Sequence, residues 1–136
     1  SKLLIDLIGK KHTSDISCWP MEISQWTSLP GIGRTTAGSI ISSAFDLPAP
    51  ILDGNVKRIL SRLIASDEII SKAQRKLWAV SSSLLSKERP RDFNQSLMDL
   101  GTNVCTPKKP RCSFCPLKSF LLLISIRFLC IYQKKK

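Results

Sequence analysis

Three groups of residues in this chain have types and spacings that could do chemistry. Asp53 is a lone acid between apolar Ile51–Leu52 and a helix-like run that begins at Gly54. Cys105, Cys112 and Cys115 fall within eleven residues, as Cys-x6-Cys-x2-Cys. Leu29-Pro-Gly-Ile-Gly33 sets two glycines around one isoleucine ahead of another helix-like run. A carboxylate can cap a helix or stabilise a developing cation. Closely spaced thiols in a chain without a secretory signal point to a metal or cluster rather than a disulfide scaffold, and the odd total of five cysteines agrees. A glycine turn lets backbone N–H groups approach a phosphate closely, and the helix after it adds its positive end.

The glycine turn with an acid some twenty residues later outlines a dinucleotide site as well. That site needs a strand before the turn and a third glycine, and here Thr36 stands in the third position after a helix-forming segment. Helix, Pro-Gly-Ile-Gly and helix instead spell a helix-hairpin-helix, with Ile32 as the inward anchor. Such a turn holds DNA by its phosphates without reading sequence; an ordinary helix connection is the plainer alternative.

The elements that would carry these groups are all helical. Apolar spacing predicts helices over Lys2–Ile8, Met21–Ser28, Thr35–Phe45, Gly54–Ala65, Ser71–Leu85 and Asp92–Val104. Ala37, Ile40, Ile41 and Ala44 should face inward on the third of these. Val56, Ile59, Leu60, Leu63 and Ile64 should do so on the fourth, with Lys57, Arg58 and Arg62 mostly opposite. Leu77, Trp78, Val80 and Leu84 form a stripe on the fifth. Phe93, Leu97, Leu100 and Val104 form one on the sixth. Ser71 can cap its helix, and Asp53 can cap its own through the amide of Val56. No stretch alternates like a strand, so the fold class is all-α. Trp19, Trp26 and Trp78 read as core or edge residues, Cys18 as a packing thiol and His12 as a solvent-exposed loop residue.

The 136 residues hold one domain at most, or part of one, and carry a net charge of +11. Residues 1–50 sum to zero, with four basic and four acidic groups, so the whole excess follows residue 50. That asymmetry favours a polyanionic partner, nucleic acid before membrane.

LPGIGRTTAG, PILDGNVKRILSRL and FNQSLMDLGTNVCTPKKPRCSFCPL, in that order, closely resemble adenine DNA glycosylases of the MutY family, within the helix-hairpin-helix base-excision superfamily. The resemblance runs from about Ser1 to Leu117. It implies a helical glycosylase domain, with the hairpin at about 22–45 gripping duplex DNA and a mispaired adenine flipped out for excision. It makes Asp53 the catalytic aspartate and Asn55 its polar neighbour. It assigns DNA contact to Gly31, Gly33, Arg34, Thr35 and Lys57, and three ligands of a 4Fe–4S cluster to Cys105, Cys112 and Cys115. The sister family, endonuclease III, carries a nucleophilic lysine where this chain has Thr35, and Thr-His after its aspartate where this chain has Gly54-Asn55. Both differences point to a glycosylase without Schiff-base lyase chemistry.

The resemblance also marks departures. The family's general-acid glutamate would lie upstream of Ser1, so a partial domain with impaired or no turnover is expected over residues 1–104. A non-catalytic DNA-binding remnant is the alternative. The cluster loop spans 105–118, but Leu121 stands where the fourth cysteine belongs and Cys130 lies far beyond. Residues 119–136 read as an aberrant tail, too short and too interrupted by Arg127 for a membrane span. Zinc is the alternative metal, though a six-residue gap suits it poorly. The implied protein is a monomer, intracellular and DNA-associated, with no membrane partner.

Overall fold

The computed structural model describes residues 19–66 and 72–119. The expectations for Lys2–Ile8, His12, Cys18, Ser71, Leu121 and the tail fall outside those residues. Among the described residues every regular element is helical: α1 Ile23–Thr27, α2 Arg34–Phe45, α3 Gly54–Leu63, α4 Gln74–Leu84, α5 Pro90–Asn103 and a 3-10 turn, Cys112–Phe114. The all-α expectation holds. The described residues group into two compact units, one of 19–51 with 85–94 and one of 52–66, 72–84 and 95–119.

In the first unit, α1 packs on α2 through Trp26, Leu29, Ala37, Ile41 and Ala49, with Trp19, Ile23, Ile32, Ile40 and Phe45 against them. Trp26 is buried and donates its indole N–H to the Pro20 carbonyl at 2.8 Å, which keeps that polar edge satisfied. Trp19 stacks on it with ring centroids 6.2 Å apart. Gly38 sits where a Cβ would run into the Pro50 carbonyl, so the 46–50 segment lies directly on α2. Asp46 ends α2 in the left-handed region (φ 54°). From there its carboxylate accepts the Arg91 N–H at 3.1 Å, satisfying one of the orphan donors at the start of α5. That helix begins two residues earlier than expected, because proline is well suited to the first helical position.

In the second unit, α3 packs on α4, and Leu52, Val56, Ile59, Leu60, Ala73, Leu77 and Leu97 of α5 are buried. The helix expected to reach Ala65 stops at Leu63, and Ala65 turns left-handed (φ 47°). Two side chains expected inward are exposed, Ala44 and Leu84. Ser42 and Ser81 are buried on those helices instead. Small hydroxyl residues allow close helix approach, which an apolar-only pattern does not register.

Candidate functional site

The hairpin turn is a type II turn. The Ile32 N–H bonds the Leu29 carbonyl at 3.2 Å, Pro30 holds the second position and Gly31 the third, with φ 83°. Only glycine takes that φ without strain. Gly33 differs. It is the residue preceding α2, with φ −85°, and a Cβ built there would meet no atom within 4 Å. No side chain caps the first turn of α2. Gly31, Gly33 and Arg34 are exposed, and Thr35 is half-buried. Ile32 packs on the core as expected.

Asp53 is the N-cap of α3. Its Oδ1 accepts the Val56 N–H at 2.8 Å, and the Lys57 N–H bonds the Asp53 carbonyl at 2.9 Å. The carboxylate is therefore fixed by the helix it starts, with Oδ2 left without a partner among the described residues. Asp53, Asn55 and Lys57 are all half-buried and share this first stretch of helix.

The amide oxygen of Asn55 is taken up by α3 itself: Oδ1 accepts from Arg58 Nη2 at 2.8 Å. The Asn55 Cβ also lies against Gly101, where an added Cβ would come within 2.6 Å. Glycine at 101 thus lets α5 approach α3 at the residue two places beyond Asp53.

Arg58 and Arg62, expected on an outward polar face, instead turn back and grip the cysteine loop. Arg58 donates from Nε to the Cys105 carbonyl at 2.7 Å and from Nη2 to the Gly101 carbonyl at 2.8 Å. It thereby satisfies one of the orphan carbonyls at the C-terminal end of α5 and places a cation at the negative end of that helix. Arg62 donates from Nη1 to the Thr106 carbonyl at 3.0 Å and from Nη2 to the Pro107 carbonyl at 3.3 Å. The same Nη1 reaches the Cys105 sulfur at 3.1 Å. The planar guanidinium fork explains why arginine does this at both positions. The missed signal was their i,i+4 spacing on one helix, directly after the aspartate.

Cys105, Cys112 and Cys115 are free thiols, half-buried, and line one cavity with Arg62, Ile59, Leu63, Leu100 and Leu117. Burial pushes the Cys115 thiol up from its ordinary pKa; the backbone at Leu117 opposes this, and nearness to Cys105 and Cys112 adds to it. Three thiols facing one apolar cavity suit three corners of a four-thiolate cluster. Among the described residues, no three such side chains converge as they would around a single ion. A cluster does not require that convergence, since each thiolate takes a different iron.

No family model matches the chain. The fold is that of the helix-hairpin-helix glycosylases: a solved endonuclease III in non-covalent complex with DNA superposes with a TM-score of 0.63 at 25% identity, over 96% of this chain and 57% of that one. By sequence the chain is similar to the adenine DNA glycosylase of Schizosaccharomyces pombe, 44% identical over 81% of this chain and 24% of the relative. It is likewise similar to that of Mus musculus, 47% identical over 67% of this chain and 18% of the relative. That of Buchnera aphidicola from Acyrthosiphon pisum is 43% identical over 82% of this chain and 32% of the relative. The chain belongs to the adenine DNA glycosylase, or MutY, family, and spans about a third or less of the length of these curated relatives. No described helix is long and apolar enough to cross a membrane.

Proposed function

We propose that the chain is part of a monomeric, intracellular base-excision glycosylase that removes adenine mispaired with guanine or 8-oxoguanine in duplex DNA. The observation that carries this is the 44% identity to an adenine DNA glycosylase over 81% of the chain. Thr35 stands where an endonuclease III would need its lysine, which favours simple glycosidic cleavage over lyase chemistry.

In this reading the C1′–N9 bond of the flipped nucleotide breaks and its electron pair leaves with adenine. The leaving base needs a proton, which the family's glutamate supplies. Asp53 then faces the positive charge left on the sugar, through the oxygen its helix does not use. Water adds to C1′ and loses a proton, leaving an abasic site. Asn55 holds its place through Arg58 and keeps the helix start in register. Gly31, Gly33, Arg34, Thr35 and Lys57 serve DNA contact. Gly33 supports this best: neither its φ nor any neighbouring atom demands a glycine, so the empty space over it is free for a phosphate. Cys105, Cys112 and Cys115 would hold a 4Fe–4S cluster, in a loop module at 105–118 that follows the helical domain. Once bound, a cluster would cross-link that loop to the end of α5.

The test is base release from duplexes carrying A·8-oxoguanine, A·G or an oxidised pyrimidine. The protein is a hybrid in which the glutamate-bearing segment of the S. pombe relative precedes Ser1. Adenine release without strand cleavage is expected. Release of the oxidised pyrimidine with strand cleavage would move the chain to the endonuclease III side.

A further inference from the structure

Phe114 is the most exposed large apolar side chain among the described residues, at 78%, against 44% for Leu84 and 37% for Leu47. It is not on a loose end. Its own N–H bonds the Arg111 carbonyl at 3.0 Å, Cys115 N–H bonds Cys112 at 3.2 Å and Lys118 N–H bonds Cys115 at 3.0 Å. A run of tight turns therefore holds an aromatic ring in water, where its burial would be worth about 2 kcal/mol.

The surroundings select what could cover it. Lys108, Lys109, Arg111 and Lys118 are all exposed, and none makes an ion pair among the described residues. The Arg111 N–H bonds the Val104 carbonyl at 2.8 Å, closing the loop that carries Lys108 and Lys109. The two lysines and Phe114 thus spring from one root. A partner must offer negative charge at short intervals with a flat apolar face between. Nucleic acid does so where its bases are unstacked; in an intact duplex the base faces cover one another and leave the ring nothing to meet.

We propose that the cysteine loop is a stacking platform for unpaired nucleotides, with Phe114 under a base and Lys108, Lys109, Arg111 and Lys118 on the flanking phosphates. This rests on the DNA-binding reading above and extends it to single-stranded or distorted DNA, which the glycine hairpin does not select. Base–aromatic stacking adds to the phosphate contacts without depending on sequence.

The experiment compares the full chain with Phe114→Ala and Phe114→Trp, on oligothymidylate and on a fully paired duplex of equal length. Phe114→Ala should weaken single-strand binding about tenfold and leave duplex binding within about twofold. Phe114→Trp should restore it, and its fluorescence beyond that of the native tryptophans should be quenched by oligothymidylate but not by inorganic polyphosphate. Equal losses on both DNAs, no loss, an unquenched tryptophan, or a changed oligomeric state in Phe114→Ala would overturn the platform. If neither DNA binds the unaltered chain, the DNA-binding reading itself fails; if duplex binds and Phe114 is silent, only the platform does.

Discussion

Arg62 reaches the sulfur of Cys105 with Nη1 at 3.1 Å, while its other bonds hold the carbonyls of Cys105, Thr106 and Pro107. One guanidinium on the helix that Asp53 starts thus fixes a thiol and the backbone beyond it. Arg58, four residues earlier, fixes the carbonyls of Gly101 and Cys105. Together they hold the first limb of the cysteine loop through protein contacts alone.

Arg58→Ala should therefore destabilise the chain by about 2–3 kcal/mol, since it leaves the Gly101 carbonyl and the Asn55 amide oxygen without their donor and the Cys105 carbonyl with only the longer bond from Arg62 at 3.4 Å. Arg58→Lys should recover less than half, because an ammonium lacks the fork. Urea midpoints at unchanged slope check this. A loss under about 0.5 kcal/mol for Arg58→Ala would mean water replaces the clamp.

Three glycines should respond in three ways. Gly101→Ala forces a methyl against Asn55 and should cost about 1–3 kcal/mol of stability. Gly31→Ala strains a turn at φ 83° and should cost about 1–2 kcal/mol. Gly33→Ala meets nothing and has an ordinary φ, so thermal stability should hold or rise slightly. Its duplex affinity should nonetheless fall, as the methyl fills the approach to phosphate. Duplex affinity unchanged in Gly33→Ala would remove the hairpin from DNA contact.

These contrasts mark how far the sequence could be read. The five helices followed from apolar spacing, and Asp53 as a cap of Val56 followed from its place ahead of Gly54. The Gly-Ile-Gly turn likewise gave up Ile32 as an anchor. What spacing could not reveal is where a long side chain ends. Arg58 and Arg62 start from the polar face of α3, yet their guanidinium groups lie over the cysteine loop more than forty residues away in sequence. The capping of α5 by Asp46 was hidden for the same reason, since it depends on a left-handed φ that a non-glycine residue seldom takes.

Duplex binding should be strongly salt-dependent. Each phosphate neutralised by a lysine or arginine adds about 0.9 to the slope of log affinity against log salt. With the charge excess after residue 50, replacing Lys108 and Lys109 together by glutamine should lower that slope by about 2. Binding isotherms at several salt concentrations measure it; an unchanged slope would place the basic loop away from the duplex.

Iron loading should be poor unless a fourth donor is supplied. Three thiols line the cavity, and the described residues offer no fourth cysteine. Leu121→Cys should raise iron per chain and visible absorbance after anaerobic purification. Four irons per chain without the substitution, and unaffected by Cys130→Ser, would show that an outside ligand completes the cluster.

Asp53 carries the central claim, and its two roles can be separated. Asn caps helices as well as Asp, so Asp53→Asn should keep stability within a few tenths of a kcal/mol, where Asp53→Ala should lose about 1 kcal/mol. With folding matched in this way, the decisive measurement is single-turnover adenine release from an A·8-oxoguanine duplex by the hybrid carrying the relative's glutamate segment. Loss of a charge that stabilises the sugar cation should slow Asp53→Asn by about 100-fold or more. Release at the unaltered rate with asparagine at position 53 would reduce Asp53 to a helix cap and contradict the account.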